Sequence, residues 1–116
     1  MDKAELIEKA RKLGFEYERT YMGCGQCTVA AVQDALGITN KEAFKAASAF
    51  GGGVGLTGDG CCGGYLGGAV VLSSLVGRER DNFVDPEGRR IEAYRLARRL
   101  REEFIAEYGS VICRNI

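Results

Sequence analysis

Residues 60–77 read GCCGGYLGGAVVLSSLVG, and this is the longest stretch of the chain without a charged side chain. Its glycines recur four residues apart, as at Gly64 and Gly68, and this spacing gives a helix a flat stripe for close packing. The stretch is near the minimum length of a membrane span but lacks the sustained large apolar content of one. We therefore predict a buried central helix from Cys61 to about Val76, and no membrane segment.

Helical periodicity continues on both sides of this central helix. Over residues 3–21 and over residues 91–108, apolar side chains recur at three- and four-residue spacing, with charged side chains on the other faces. Another helix is predicted over residues 26–36. A short helix follows Thr39 and Glu42, which fit a capping box with Thr39 as the N-cap.

The remaining segments are connections. A glycine-rich loop, residues 51–60, precedes the central helix, and no segment alternates apolar and polar residues over the length of a strand. The sequence therefore predicts an all-α fold, a compact bundle of four to five helices, in a single domain over residues 1–116.

Composition narrows the function classes. Sixteen basic and sixteen acidic residues give a formal net charge of zero, so we expect no nucleic-acid partner and no attraction to acidic membranes. There is no histidine, which excludes imidazole as metal ligand, haem ligand or general base. The charged N-terminus does not resemble a signal peptide, and we expect a cytoplasmic protein.

Five cysteines are the main chemical feature of the chain. The number is odd, so a complete set of intramolecular disulfides is excluded, and in a reducing compartment clustered cysteines are more often metal ligands or catalytic groups. Each cysteine lies beside glycine or near a predicted helix end. The five candidate ligand residues are Cys24, Cys27, Cys61, Cys62 and Cys113.

The spacing of these cysteines favours some chemistries over others. Cys27 and Cys62 lie near predicted helix N-termini, where the helix dipole stabilises a thiolate, so we expect lowered pKa values for both. Cys24 and Cys27 form a C-x-x-C pair that is followed by threonine, which excludes a c-type haem attachment site. The paired C-x-x-C knuckles of a zinc site are absent. All-thiolate ligation without histidine is better suited to an iron–sulfur cluster.

Three interpretations stay open from the residues alone. The first is an iron–sulfur redox protein, with Cys27, Cys62 and Cys113 as ligands, Cys24 or Cys61 as the fourth, and the backbone of Gly63 and Gly64 close to the cluster. The second is a thiol–disulfide or sulfur-transfer protein that uses the pair Cys24/Cys27 or Cys61/Cys62. The third is a module that binds zinc or another soft metal ion.

Four segments, in order, carry a family resemblance. Residues 27–32 read CTVAAV, residues 51–55 GGGVG, residues 62–67 CGGYLG, and residues 108–114 YGSVICR. Together they resemble the C_GCAxxG_C_C family of redox-active proteins, which is related to the iron–sulfur domain of a split-Soret cytochrome c. Gly64 stands where the family motif has alanine.

This resemblance implies a helical fold, a redox or iron–sulfur role, a homodimer and a redox partner protein. The family's fourth cysteine lies beyond the segment that ends in Cys113-Arg114. Cys24 and Cys61 are therefore the candidates for the fourth ligand. The alternatives are a cluster that is shared across a dimer and a fourth cysteine that lies in a longer chain.

Overall fold

The computed structural model describes residues 1–116 and contains five α-helices and no strand. The helices are α1 (Lys3–Tyr21), α2 (Cys24–Leu36), α3 (Lys41–Ala46), α4 (Gly63–Val76) and α5 (Arg89–Tyr108), and short 3₁₀ turns lie at Ser48–Phe50, Arg80–Asn82 and Cys113–Asn115. The predicted all-α bundle of four to five helices is confirmed.

The long helices pack in a row. Helix α1 packs on α2, α2 packs on α4, and α4 packs on α5, so α2 and α4 are central and α1 and α5 lie at the two ends. Helix α3 and the turn at Ser48–Phe50 cover one side of the α2–α4 pair. The core lies there, around Val29, Ala47 and Val71. No helix of the fold is long and apolar enough to cross a membrane.

Several helix ends differ from the prediction. Helix α2 begins at Cys24 instead of residue 26, because the left-handed backbone of Gly23 (φ 103°) allows a sharp turn directly after α1. The N-cap of α3 is Asn40, whose Oδ1 accepts a hydrogen bond from the Ala43 amide at 2.9 Å, so the prediction of Thr39 as the cap was wrong.

The central helix is less buried than its composition suggests. Cys62 is the N-cap of α4, and only three residues of α4, all on the side toward α2, are buried: Gly63, Gly67 and Val71. Helix α5 packs on α4 through Ala97, Leu100 and Phe104, with Leu100 lying against Gly68. The other members of its apolar stripe are more than half exposed, namely Ile91, Tyr94 and Tyr108.

Candidate functional site

The N-termini of α2 and α4 meet where neither helix has room for a larger residue. A Cβ atom on Gly63 would overlap Cys24 Sγ and would lie 2.7 Å from the Gly25 amide nitrogen. A Cβ atom on Gly67 would lie 2.7 Å from the Gly25 carbonyl oxygen. Glycine is therefore required at both positions, and its use brings the sulfur of Cys24 against the backbone that follows Cys62.

Cys62 is held by hydrogen bonds on both sides. Its Sγ accepts a hydrogen bond from the Gly64 amide at 3.4 Å, as an N-cap side chain does. Its amide donates to the Val111 carbonyl oxygen at 2.6 Å. The prediction that Cys62 lies at a helix N-terminus is confirmed, and the sulfur is directed toward the first turn of α4.

An isolated antiparallel bridge joins Cys61 to Ile112 and brings distant parts of the chain together. The Cys113 amide donates to the Gly60 carbonyl oxygen at 2.9 Å on the far side of the same bridge. Successive side chains of paired extended segments point to opposite faces. Cys62 and Cys113 therefore share one face as a diagonal pair, with Cβ atoms within roughly 8 Å, and Cys61 lies on the other face.

The glycine-rich loop encloses Cys113. Gly53 has φ 75°, and a Cβ atom there would lie 2.8 Å from the Cys113 Cβ, so only glycine is accommodated. The Arg114 amide and Nε both donate to the Gly58 carbonyl oxygen at 3.2 Å. The Arg114 guanidinium also pairs with the Asp59 carboxylate, so Asp59 fastens the C-terminal segment to the loop.

Cys27 has a different environment from the other cysteines. It is 6% exposed, lies between α1 and α2, and its thiol donates to the Met22 carbonyl oxygen at 3.5 Å. Burial raises the pKa of Cys27 to about 11, and the nearby Glu18 carboxylate adds to this rise. The expectation of a lowered pKa at Cys27 was wrong, because removal of the thiol from water outweighs the helix dipole.

The C-x-x-C pair lies at a groove between α1 and α2. Cys24, Cys27 and Thr28 form part of its α2 wall, and Phe15 and Glu18 part of its α1 wall, around a volume of about 290 Å³. Cys24 is half-buried at the start of α2, whereas Cys27 is buried one turn later. The pair thus combines one half-buried cysteine with one buried cysteine whose thiol stays protonated.

The structure brings Cys24 and Cys62 together at the first turn of α4, and the bridge brings the backbone of Cys113 near them. Cys27 lies one turn beyond Cys24 on the α1 side, and Cys61 lies on the other face of the bridge. No group of three or more cysteine, aspartate or glutamate side chains is placed to hold a metal ion. The donor set itself, thiolates with backbone amides of Gly63 and Gly64 nearby, is of the kind that iron–sulfur clusters use.

Two residues of the site were not found from the sequence. Val111 and Arg114 hold the C-terminal segment against Cys62 and the glycine-rich loop. Both residues lie in the segment 108–114 that carries the family resemblance, but that segment does not reveal their contacts. The structural signal is the pair of β-branched residues at Val111 and Ile112, which favours extended backbone directly after α5. Two residues are too few for a periodicity to reveal a strand pairing.

The fold and the site together define a class: a small all-α protein whose cysteines gather at the N-termini of two central helices. Residues 22–116 match the model of the family described as "Putative redox-active protein (C_GCAxxG_C_C)", and the chain belongs to that family. The family resemblance read from the sequence is thus confirmed. No curated protein and no solved structure gives a significant match.

Proposed function

We propose that this redox-active family member binds an iron–sulfur cluster through Cys24, Cys27, Cys62 and Cys113 and transfers electrons. The observations that support the proposal are the contact of Cys24 with the first turn of α4, which Cys62 caps, and the backbone bridge that brings Cys113 near Cys62. Cys61 is left out because it faces the other side of the bridge. A cluster spans several iron atoms, so its ligands stand farther apart than those of one metal ion.

The surroundings of the site support a thiolate-ligated group. Backbone amides at the N-terminus of α4 lack partners within the helix and carry partial positive charge, which favours thiolates and cluster sulfides. These amides reduce the cost of gathering negative sulfur atoms in one place.

The test is anaerobic purification followed by visible absorption and by iron and sulfide analysis. We expect broad visible absorption with iron and sulfide present in the wild type, loss of both in Cys62→Ser, and retention of both in Cys61→Ser. The vicinal pair thus provides its own matched control. A colourless, iron-free protein obtained without exposure to oxygen would sink the proposal.

A second candidate function, thiol–disulfide exchange by Cys24 and Cys27, rests on their difference in burial. Cys24 is half-buried in the first turn of α2, and Cys27 is buried one turn later as a protonated thiol. In this reaction Cys24 attacks a disulfide of a partner protein. Cys27 then attacks the mixed disulfide, so two thiols become one disulfide and the partner gains two thiols.

The two candidates are separated by counting thiols in metal-free protein. Exchange predicts loss of two free thiols after treatment with an oxidised partner disulfide, and no loss in Cys24→Ser. In sulfur transfer, the Cys24 thiolate takes the outer sulfur of a donor protein's persulfide and the donor leaves as a thiol, which predicts a mass gain of one sulfur on Cys24. The Cys61/Cys62 couple is less suited to either reaction because its two side chains point to opposite faces.

Zinc is the third alternative. A zinc site needs four ligands around one ion, and the absence of three suitably placed side chains counts against it in this conformation. Metal analysis that found about one zinc per chain with no sulfide would favour zinc over the cluster.

We also propose that the working unit is a homodimer that exchanges electrons with a redox partner protein. The reducing cytoplasm suits the proposal, because five free thiols persist there. Two long helices, α1 and α5, contain no buried residue at all, which supports further association.

A further inference from the structure

The outward side of α4 is an uncharged surface that nothing in the chain covers. The buried side of α4 faces α2, and Leu66, Ala69 and Ser73 lie next to that side, on the part of the helix turned away from α5. Together with neighbouring residues they line a groove of about 470 Å³, the α4 groove, formed by Phe50, Leu66, Ala69, Val70, Ser73 and Ser74. Helix α4 contains no charged residue. Its residues Leu66, Ala69 and Val70 are only half-buried in the single chain.

The total surface of the chain is larger than the average for a folded monomer of its mass. A folded monomer of 12.5 kDa is expected to expose roughly 6,200 Å², whereas this chain exposes 7781 Å². The excess of about 1,600 Å² per chain matches what each partner buries in an obligate homodimer. Only 12 of 116 residues are buried, as expected for half of a larger core.

The α4 groove is the part of the surface best suited to be covered by a partner. The exposed apolar residues of α1, such as Ile7 and Phe15, are surrounded by lysine, arginine and glutamate, and the outer faces of α5 are rich in arginine and glutamate. Interface centres are depleted of charged residues. A second uncharged surface is lined by aromatic residues of α1 and α3, but Asp34 lies at its border, where it accepts a hydrogen bond from Tyr17. Helix α4 is the only helix of the chain without a charged residue, and its groove is flanked by the ring of Phe50.

We infer that a second copy of this chain packs on the α4 groove, with the two α4 helices in contact across a two-fold axis. Such a contact is isologous, so the same uncharged strip meets itself and needs no complementary charge. Ala69 and Ser73 are one turn apart and small, which lets the helices approach closely, while Phe50 and Leu66 close the sides. The inference extends the proposed homodimer and does not depend on the cysteine chemistry.

The test is the molar mass of the full chain by light scattering after size exclusion, in reducing buffer. Ala69→Glu and Ser73→Glu each place like charges on the two sides of the proposed contact. The matched control is Ile7→Glu, which adds the same charge at a 60% exposed residue of α1, on the far side of α2. We expect twice 12.5 kDa for the wild type and for Ile7→Glu. The groove variants should show a dissociation constant raised by roughly 100-fold or more. Circular dichroism checks that they keep their helix content.

Each outcome is decisive. Folded groove variants that run as monomers support the inference. Groove variants that stay as dimeric as the wild type overturn the α4 groove as the interface but leave the proposed homodimer standing. A wild type that is monomeric at every concentration tested overturns both. If Ile7→Glu alone dissociates, the interface lies on α1.

Discussion

Two adjacent glycines at the start of α4 differ in whether the surrounding structure leaves space for a side chain. Gly63 has no space for a side chain, because an added Cβ would overlap Cys24 Sγ and press on backbone atoms of Gly25 and Phe50. Gly64 has space, since the nearest atom to an added Cβ is Cys62 Sγ at 3.6 Å, an ordinary contact distance. The family motif carries alanine at Gly64, and the structure accommodates it.

We therefore predict that Gly63→Ala and Gly64→Ala differ in sign. Gly63→Ala should lower the free energy of unfolding by about 1–3 kcal/mol through overpacking. Gly64→Ala should raise it by about 0.5–1 kcal/mol, because alanine loses less backbone entropy in a helix. Urea unfolding of the two variants beside the wild type measures both values. Equal effects of the two substitutions would contradict the packing described at Gly63.

The raised pKa of Cys27 predicts a loss of stability in alkaline solution. The thiol titrates near 9.0 when unfolded and at about 11 in the folded protein. The unfolded chain therefore loses its proton first, and each pH unit between these values removes up to about 1.4 kcal/mol of folding free energy. Below pH 9 this contribution is fully present.

Urea unfolding at intervals from pH 8 to pH 11 checks this prediction, with Cys27→Ala as the control. The variant lacks the titrating thiol and should show a shallower decline over the same range. A wild type and a variant with parallel pH profiles would show that Cys27 titrates normally in the folded chain.

The sequence located the five cysteines but not their chemical states. It showed that Cys27 lies near a helix start, which lowers a thiol pKa, but not that α1 folds over it. It also left Cys24 and Cys61 equal as candidates for a fourth ligand. The two cysteines are distinguished by the bridge between Cys61 and Ile112. These residues are far apart in the chain, so no local sequence pattern predicts that they pair.

At the level of the elements, the cap of α3 offers a direct test of local structure. Asn40 accepts the Ala43 amide, whereas the side chain of Thr39 makes no such bond. Asn40→Ala should therefore cost about 1 kcal/mol of unfolding free energy, and Thr39→Ala close to nothing. Thermal unfolding of both variants measures the difference, and a larger cost at Thr39 would restore the capping box as the correct assignment.

The helices themselves were predictable, because apolar periodicity and glycine stops are local properties. The prediction over residues 3–21 matches α1 as observed, and the end of α5 at Tyr108 follows from Gly109. Periodicity could not show which part of each apolar stripe is covered by a neighbouring helix. The α5 stripe is continuous in sequence, yet only its middle meets α4, since a row of helices gives an end helix one neighbour.

The whole molecule is a row of helices with a small core on one side of its centre. Such an arrangement buries little of its apolar surface within one chain, and the proposed homodimer buries more of it. If the homodimer carries part of the folding free energy, the unfolding midpoint must depend on protein concentration.

We predict a rise in the midpoint of ~3–5 °C for each tenfold increase in concentration. Differential scanning calorimetry over a hundredfold range measures it. Ser73→Glu, which disrupts the α4 groove, should unfold at a lower midpoint that no longer changes with concentration. A wild-type midpoint independent of concentration would argue that one chain carries all of its own stability.

The bridge between Cys61 and Ile112 also sets an order of events during synthesis. A nascent chain that holds only its first hundred residues already contains α1 to α4, with Cys24, Cys27 and Cys62, but not the segment that pairs with Cys61. Until residues 111–114 emerge from the ribosome, the Cys62 amide and the carbonyl oxygens of Gly58 and Gly60 lack the partners that this segment supplies. Cys113 is therefore the last of the five cysteines to join the fold, after the contact between α2 and α4 has become possible.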